Sequence, residues 1–145
     1  MMHIAPLQGA DRAGWQPLAE GYKRFYRTEV TAAEYDECWR RLLAGDGVHG
    51  LGGFVDGRLV GITHYLFHTS AWAREVCYLQ DLFVAESARG QGVAAALIDA
   101  VAQAAREHQA ARLYWLTQDT NTRARALYDR VAQHKGFIRY DHSLR

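Results

Sequence analysis

A loop with two glycines, Arg89-Gly90-Gln91-Gly92-Val93-Ala94, follows an almost unbroken apolar segment, Val76–Val84, and leads into an amphipathic segment. This order predicts a strand, a turn and a helix. The first turn of a helix carries unpaired backbone N–H groups and the positive end of the helix dipole, and Gly90 and Gly92 have no Cβ to keep an anion away from them. Arg89 adds a guanidinium group that suits phosphate oxygens. The loop is therefore a predicted phosphate site, and the alternative is an ordinary glycine-containing turn.

Length and composition limit the class of protein. The chain has 145 residues, which predicts one domain, and 49% of them are hydrophobic, which is enough for one core. The formal net charge of +1 disfavours nucleic acid as a partner, because nucleic-acid binding needs a clustered basic surface. Cys38 and Cys77 have neither disulfide-framework nor zinc-site spacing. Since no leader or long apolar run is present, we expect a cytoplasmic protein with no membrane partner.

The other segments alternate between helical and strand patterns. Apolar spacing predicts a helix over about residues 11–26, and Thr31 with Glu34 forms a capping box for a second helix. Residues 45–53 are rich in glycine and are predicted as a connection, whereas Asp56-Gly57 between apolar runs predicts a hairpin. The rest of the chain is predicted as a helix after the glycine loop, a strand over 112–117, a helix from Asn121 or Thr122, and a last strand over 137–140. This order predicts a mixed α/β sheet flanked by helices.

These motifs resemble the GNAT superfamily of N-acetyltransferases. The loop is similar to the family's R/Q-x-x-G-x-G/A signature, which wraps the pyrophosphate of acetyl-coenzyme A, and Asn121, Leu127-Tyr128 and Gly136-Phe137 are similar to its final segment. The resemblance implies a single α/β domain over residues 1–145, with a mixed, mostly antiparallel sheet of about six or seven strands and about four helices. It also implies acetyl-coenzyme A as co-substrate, an amine as partner, no metal, and a homodimer.

The resemblance implies roles for particular residues. Tyr128 matches the family's tyrosine that protonates the departing thiolate, and helix packing is the alternative role for this side chain. The strand that contains Leu82 matches the strand whose backbone binds the pantetheine arm, and one N–H there, at Leu82 or its neighbour, would face the thioester oxygen. The predicted cofactor-binding residues are Leu82, Phe83, Val84, Arg89, Gly90, Gln91, Gly92, Val93, Ala94, Ala95 and Asn121.

Two polar residues, Gln80 and Asp81, stand in the middle of the apolar strand. They are predicted to lie beside the incoming amine, and hydrogen bonding to a neighbouring loop is the alternative. The branch that resembles polyamine and diamine N-acetyltransferases usually reads Leu-Glu-Asp here, whereas Gln80 cannot take a proton, so polyamine specificity is not expected. An alkyl amine is only about one part in a thousand neutral near neutral pH, which costs about 4 kcal/mol. Asp81 through water, His64, or selection of the neutral amine are the three candidates for meeting this cost.

The predicted function is transfer of acetyl to a small primary amine by direct attack in a ternary complex. Asp81 and Tyr128 are the predicted catalytic residues. The predicted substrate-binding residues are Tyr22, Tyr26, Arg27 and Gln80. The resemblance places the first three where the family admits its substrate, between the first two helices, and core packing of the aromatic residues with a solvated Arg27 is the alternative. A catalytically silent acyl-coenzyme A sensor or interaction module, and a protein-lysine or N-terminal acetyltransferase, are the alternatives. His64 and His68 share one face of a strand but have no carboxylate near them in sequence, so they give no metal prediction.

Overall fold

In the computed structural model, which describes residues 1–145, the chain divides into two compact units, Met1–Trp115 and Leu116–Arg145. The prediction of one domain over the whole chain stays a prediction. The first unit contains, in chain order, β1 (Met2–Pro6), α1 (Arg12–Phe25), α2 (Ala32–Ala44), β2 (His49–Val55), β3 (Arg58–His68), β4 (Val76–Val84), α3 (Val93–Glu107) and β5 (Leu113–Tyr114). The second unit contains α4 (Thr122–Val131). None of these helices is both long and apolar enough to span a membrane.

One mixed sheet forms the centre of the first unit. Its strand order is β1-β2-β3-β4-β5, with antiparallel pairing from β1 to β4 and parallel pairing between β4 and β5. This confirms the predicted mixed α/β fold with four helices. The sheet has five strands, however, and not the predicted six or seven.

The differences in strand count lie at the two ends of the chain. β1 has no alternating apolar pattern to reveal it in the sequence, and its pairing with β2 defines it as an edge strand. The segment 137–140 is not a strand, because no strand pairs with it, and Phe137 and Tyr140 are 85% and 86% exposed. The strand predicted over 112–117 is only Leu113–Tyr114. In each case strand formation depends on a neighbouring strand and not on the apolar character of the segment.

The glycine-rich segment is strand β2 for most of its length and not the predicted connection. A Cβ on Gly52 would lie 2.7 Å from Cδ1 of Leu59, and a Cβ on Gly53 would lie 2.8 Å from Cγ1 of Val93. Neighbouring side chains therefore occupy the space above these positions on both faces of the sheet. Glycine at these positions leaves room for the neighbouring side chains, and this requirement cannot be read from the local sequence.

The locally encoded features form as predicted. The Thr31 hydroxyl accepts the Glu34 N–H at 3.2 Å, and the Glu34 carboxylate accepts the Thr31 N–H at 3.2 Å, which is the reciprocal bonding of a capping box. Asp56 and Gly57 both have positive φ, 50° and 80°, as a tight hairpin between β2 and β3 requires.

Helices cover both faces of the sheet. On one face, α1 and α2 pack Trp15, Trp39 and Leu42 against Ile62 of β3. On the other face, α3 packs Leu97 and its neighbours against the sheet. The sheet lies between these helices, and the middle of β3 and β4 lies under α1.

Candidate active site

A β-bulge lies in the middle of β4. His64 of β3 pairs with Asp81, and the next residue, Tyr65, pairs with Leu79, so Gln80 is an extra residue with no partner on β3. Bulges of this kind redirect side chains and are common beside active sites. Here the bulge leaves the Gln80 side chain exposed and brings the Asp81 carboxylate beside the ring of His64.

A chain of hydrogen bonds connects α1, β3 and β4. The Trp15 indole N–H donates to Nε2 of His64 at 3.0 Å, and Nδ1 of His64 lies 2.8 Å from Oδ2 of Asp81. Because Nε2 accepts the indole N–H, it carries no hydrogen, and the hydrogen of the neutral ring must be on Nδ1. His64 therefore donates to the carboxylate. Trp15 is 0% exposed and His64 is 6% exposed, so both links are buried.

The surroundings of Asp81 favour its ionised form. Burial raises the pKa of this carboxyl, but the hydrogen bond and electrostatic attraction of His64 outweigh burial together with smaller effects of Tyr22 and Lys23. The net pKa therefore lies below the ordinary value of 3.8. The Thr63 hydroxyl donates to the Asp81 backbone carbonyl at 2.8 Å and holds the strand in place. The side chain keeps 19% exposure, so a ligand can reach it.

Aromatic residues of α1 lie next to this carboxylate. The Tyr22 hydroxyl lies 3.5 Å from the Gln80 carbonyl oxygen, and burial together with the nearby Asp81 carboxylate raises the pKa of Tyr22. The rings of Tyr22 and Tyr26 lie 5.0 Å apart. Arg27 follows α1 as an exposed residue with a φ of 54°. The structure thus brings Tyr22, Gln80 and Asp81 together, with Tyr26 beside them and Arg27 at the helix end.

Gly21 sets the distance between α1 and β4. A Cβ at this position would lie 2.8 Å from Cζ of Phe83, closer than Cβ contacts normally come. The absence of a side chain therefore allows the helix to approach the strand and places Tyr22 over the bulge. The sequence analysis missed this role of Gly21, although Gly14 and Gly21, two turns apart on one helix face, were a usable signal.

One edge of β4 is open beyond its first residues. β4 pairs with β5 only at Cys77 and Tyr78. The Ala85 N–H donates to the Val60 carbonyl of β3 at 2.8 Å, so the backbone groups of Ala85 point to β3. Backbone groups alternate in direction along a strand, and those of Leu82 and Val84 therefore point away from β3. These two residues present backbone hydrogen-bonding groups at the open edge.

Phe83 lies between Leu82 and Val84 but differs from them in its surroundings, and its role in cofactor binding stays a prediction. It is paired with Ile62 of β3, and its ring packs against the α1 and α2 core. Of the three strand residues predicted to bind the cofactor, only Leu82 and Val84 therefore offer backbone groups to a ligand at the open edge.

The glycine loop leads from this strand to α3. Gly90 and Gly92 have φ values of 81° and 82°, which strongly favour glycine, and a Cβ at either position would meet no atom within 4 Å. The Gly92 carbonyl accepts the Ala96 N–H at 3.0 Å, so α3 begins directly after this glycine. The N–H groups of Val93, Ala94 and Ala95 belong to the first helical turn and have no partner within the helix. The loop thus has the geometry of an anion site at a helix N-terminus.

Arg89 connects the loop to the strand. Its Nε donates to the Val84 carbonyl at 3.2 Å, and its guanidinium carbon lies 5.7 Å from the centre of the Phe83 ring. One N–H of the guanidinium is therefore used within the protein, which fixes the group near the open edge of β4. Gln91, the remaining loop residue, is exposed.

The second unit holds two of the predicted residues. The Asn121 side-chain amide donates to the Thr117 hydroxyl at 3.1 Å and does not cap α4. Tyr128 is partly buried on α4. The roles of Asn121 in cofactor binding and of Tyr128 as a proton donor stay predictions.

No group of three or more His, Cys, Asp or Glu side chains is arranged to hold a metal ion. His68 interacts with the Tyr114 hydroxyl through Nε2 at 2.9 Å, and His64 is engaged by Trp15 and Asp81. No carboxylate lies near His64 along the chain, but strand pairing places Asp81 directly opposite it.

Comparison with known proteins identifies a family. The profile of the acetyltransferase (GNAT) family matches residues 15–132. A D-amino-acid N-acetyltransferase of Saccharomyces cerevisiae is 32% identical over 135 residues, covering 89% of this chain and 83% of the yeast protein. A thialysine N-epsilon-acetyltransferase of Caenorhabditis elegans is 28% identical over 107 residues, covering 74% of this chain and 67% of that protein.

Solved structures share the fold. The aminoglycoside acetyltransferase AAC(6')-Iy, in complex with a bisubstrate analog of coenzyme A and acetylneamine, superposes with a TM-score of 0.88 at 17% identity, covering 99% of this chain and 98% of that one. A ribosomal-protein-alanine N-acetyltransferase from Brucella melitensis biovar Abortus 2308 gives a TM-score of 0.82 at 24% identity, covering 99% of both chains.

Proposed function

The chain belongs to the acetyltransferase (GNAT) family, and we propose that this acyltransferase moves the acetyl group of acetyl-coenzyme A to the primary amine of a small molecule. The observation that carries the proposal is the order of Asp81 and Leu82 in β4. Asp81 holds an ionised carboxylate under α1, and the next residue presents its N–H at the open strand edge. Neighbouring strand residues are about 3.4 Å apart. An amine bound by the first and an acyl carbonyl bound by the second would therefore be close enough to react.

The first unit has groups that suit acetyl-coenzyme A. Leu82 and Val84 would bind the pantetheine arm by strand-like pairing, and the loop from Gly90 to Ala95 would bind the pyrophosphate through backbone N–H groups. Arg89, held between them, would contact a phosphate with its remaining N–H groups. When bound, acetyl-coenzyme A supplies the acetyl thioester, and Leu82 donates its N–H to the oxygen that becomes negative during attack.

Asp81 is the residue that would bind the amine. Its carboxylate would bind the substrate ammonium, and its lowered pKa keeps it ionised for that role. One ammonium proton would pass to water beside the carboxylate, which is too weak a base to hold it. The neutral nitrogen then bonds to the acetyl carbon while the carbon–sulfur bond breaks. Tyr128 gives its hydroxyl proton to the departing thiolate and regains one from water. This assignment of Tyr128 rests on the family resemblance.

Direct attack is supported by the state of the cysteines. Burial raises the pKa of Cys77 to about 11, and burial with the nearby Asp81 charge raises the pKa of Cys38. The thiolate is the nucleophilic form of cysteine, and a raised pKa leaves very little of it at neutral pH. Neither cysteine is therefore suited to form an acyl-enzyme, which favours a ternary complex.

The relatives suggest an amino-acid amine as the acceptor, because their names specify D-amino acids and thialysine. Gln80 replaces the acidic residue of the polyamine-type branch, and its side chain is exposed beside the bulge. We therefore propose that D-amino acids or thialysine are better substrates than spermidine. The homodimer expected from the resemblance also stays a proposal.

An amine panel with thiol release as the readout tests the function. D-amino acids, thialysine, spermidine and peptides with free lysine or N-terminal amines are compared at equal acetyl-coenzyme A. Steady release with a small amine supports the proposal. Release with peptides alone would identify a protein acetyltransferase, and binding of acetyl-coenzyme A without release by any amine would identify a silent sensor. Spermidine as the best substrate by a wide margin would contradict the specificity.

A further inference from the structure

Trp15, His64 and Asp81 form a buried relay from α1 through β3 to β4. We propose that Trp15 and His64 are positioning residues, which hold the Asp81 carboxylate ionised and oriented so that it binds the substrate's ammonium group. The inference rests on the proposed function, because it assigns Asp81 to the amine. It also removes one of the three candidates named for the amine, since it makes His64 a support for Asp81 and not a base.

Only one protonation form of His64 fits both of its hydrogen bonds. With the hydrogen on Nδ1, the ring accepts the Trp15 N–H at 3.0 Å and donates to Asp81 at 2.8 Å. The other neutral form would place two N–H groups face to face at Trp15 and a bare nitrogen against the carboxylate. The imidazolium would also place its Nε2 hydrogen against the indole N–H. Trp15 thus selects the form of His64 that donates to Asp81.

A neutral His64 matters for the charge of the site. An imidazolium would neutralise the carboxylate, whereas a neutral ring leaves its negative charge available to a cation. The titratable groups that face Asp81 are Tyr22 and Lys23 from α1, Cys38 from α2 and His64 from β3. Lys23 is the one permanent cation among them, and its Nζ lies over the ring of Tyr22 at 5.8 Å. The carboxylate is therefore suited to accept a second cation.

The tautomer of His64 is measured first, in the folded wild-type protein. Nitrogen chemical shifts from protein with 15N-labelled histidine distinguish a protonated ring nitrogen from a bare one. We expect His64 to show hydrogen on Nδ1 and none on Nε2 near neutral pH. Hydrogen on Nε2, in either a neutral or a charged ring, would overturn the proposal, because Trp15 could not then donate.

Two tryptophan variants separate positioning from packing. Trp15→Phe removes the indole N–H, and Trp39→Phe makes the same change at a buried neighbour whose ring lies 5.0 Å from Trp15. We expect Trp15→Phe to lose the fixed His64 tautomer and to lower kcat/KM for the amine by about tenfold, the size of effect expected from the loss of one hydrogen bond. Trp39→Phe should keep both the His64 tautomer and the wild-type kcat/KM for the amine. Equal effects of the two variants would show that Trp15 acts only by packing.

Replacement of His64 provides a rescue test. His64→Asn places an amide N–H near the position of Nδ1 and can still donate to Asp81, whereas His64→Leu cannot. We expect His64→Asn to retain most of the activity that His64→Leu loses, with the difference in KM for the amine and not in KM for acetyl-coenzyme A. Equal loss in both variants would overturn the positioning role.

The outcomes also separate this proposal from the proposed function. If no amine supports thiol release, the acetyltransferase assignment fails, but the tautomer measurements on wild type and Trp15→Phe still decide whether the relay exists. If amines react normally and Trp15→Phe behaves like Trp39→Phe, the relay fails and the function stands.

Discussion

Replacement of Asp81 by asparagine would remove one negative charge and almost nothing else. The two side chains have nearly the same shape, and the amide oxygen of asparagine can still accept the His64 N–H that lies 2.8 Å from Oδ2 in the wild type. The amide NH₂ would then face the substrate ammonium, so a donor would replace an acceptor. A hydrogen bond to a charged group contributes about 1.5–3 kcal/mol. We therefore expect kcat/KM for the amine to fall by about 10- to 150-fold.

The effect should depend on pH in one direction. Below the amine's own pKa of about 10.4 the substrate is an ammonium and gains from the carboxylate, whereas the neutral amine gains little. The ratio of wild-type to Asp81→Asn activity should thus be largest near neutral pH and shrink toward the amine's pKa. Thiol release measured over this range with one amine gives the ratio. Asp99→Asn, the same change on the exposed face of α3, is the control and should leave the profile unchanged.

A ratio that is constant with pH would refute the ammonium-binding role of Asp81. Stability provides a second check. The pKa of Asp81 is lowered in the folded state, so its contribution to the free energy of unfolding is present above its ordinary pKa of 3.8 and is lost as the pH falls through the lower folded value. The stability of the wild type, measured by urea unfolding, should fall more steeply in this acidic range than that of Asp81→Asn.

Three further substitutions test other parts of the structure. Gly92→Val places a β-branched residue at a φ of 82°, which costs about 1–2 kcal/mol of stability. Calorimetry on the folded variant should show weakened acetyl-coenzyme A binding, and unchanged affinity would contradict the assignment of the phosphate site. Tyr128→Phe should lower kcat by about 10²–10⁴-fold with little change in KM for acetyl-coenzyme A, and near-normal kcat in steady-state assays would exclude it as the proton donor. In Gly21→Ala, the new Cβ would lie 2.8 Å from Phe83, and overpacking of this kind costs about 1–3 kcal/mol. Alanine also favours the helix by about 1 kcal/mol over glycine, so the free energy of unfolding, measured in urea, should fall by up to about 2 kcal/mol. In Gly14→Ala the nearest contact of the Cβ would be 3.2 Å, so this variant should lose less stability. Equal losses of stability in the two variants would show that the close contact at Gly21 has no particular effect.

Local sequence was sufficient for the features whose causes lie within a few residues. The capping box of Thr31 and Glu34, the Asp56-Gly57 hairpin and the start of α3 after Gly92 all formed as expected. Capping, turn conformation and the first helical turn depend on neighbouring backbone groups, and their residue preferences are strong. Asp81 could be chosen for the site because a charged residue inside an apolar strand is visible in the chain itself, whereas Tyr22 was chosen from the family resemblance.

Strand assignments at the ends of the chain depended on pairing. β1 is a strand because β2 lies beside it, and the apolar segment 137–140 is not one because no strand does. A backbone hydrogen bond between strands needs a partner from a distant part of the chain, so apolar character alone cannot decide. The glycines of β2 were misread for a related reason, since the side chains that exclude a Cβ at Gly52 and Gly53 come from β3 and α3.

The charged centre of the site was decided by tertiary structure. Trp15 and His64 are 49 residues apart, and His64 and Asp81 are 17 apart. They meet because β3 and β4 pair in one register, with one bulge at Gln80, and because Gly21 allows α1 to lie close to the strands. A shift of one residue in that register would turn Asp81 to the other face of the sheet. The sequence alone determined which groups are available for the chemistry. Only the packed sheet determined that a neutral histidine donates to the carboxylate, because hydrogen bonds between distant residues depend on strand register and helix packing and not on local pattern.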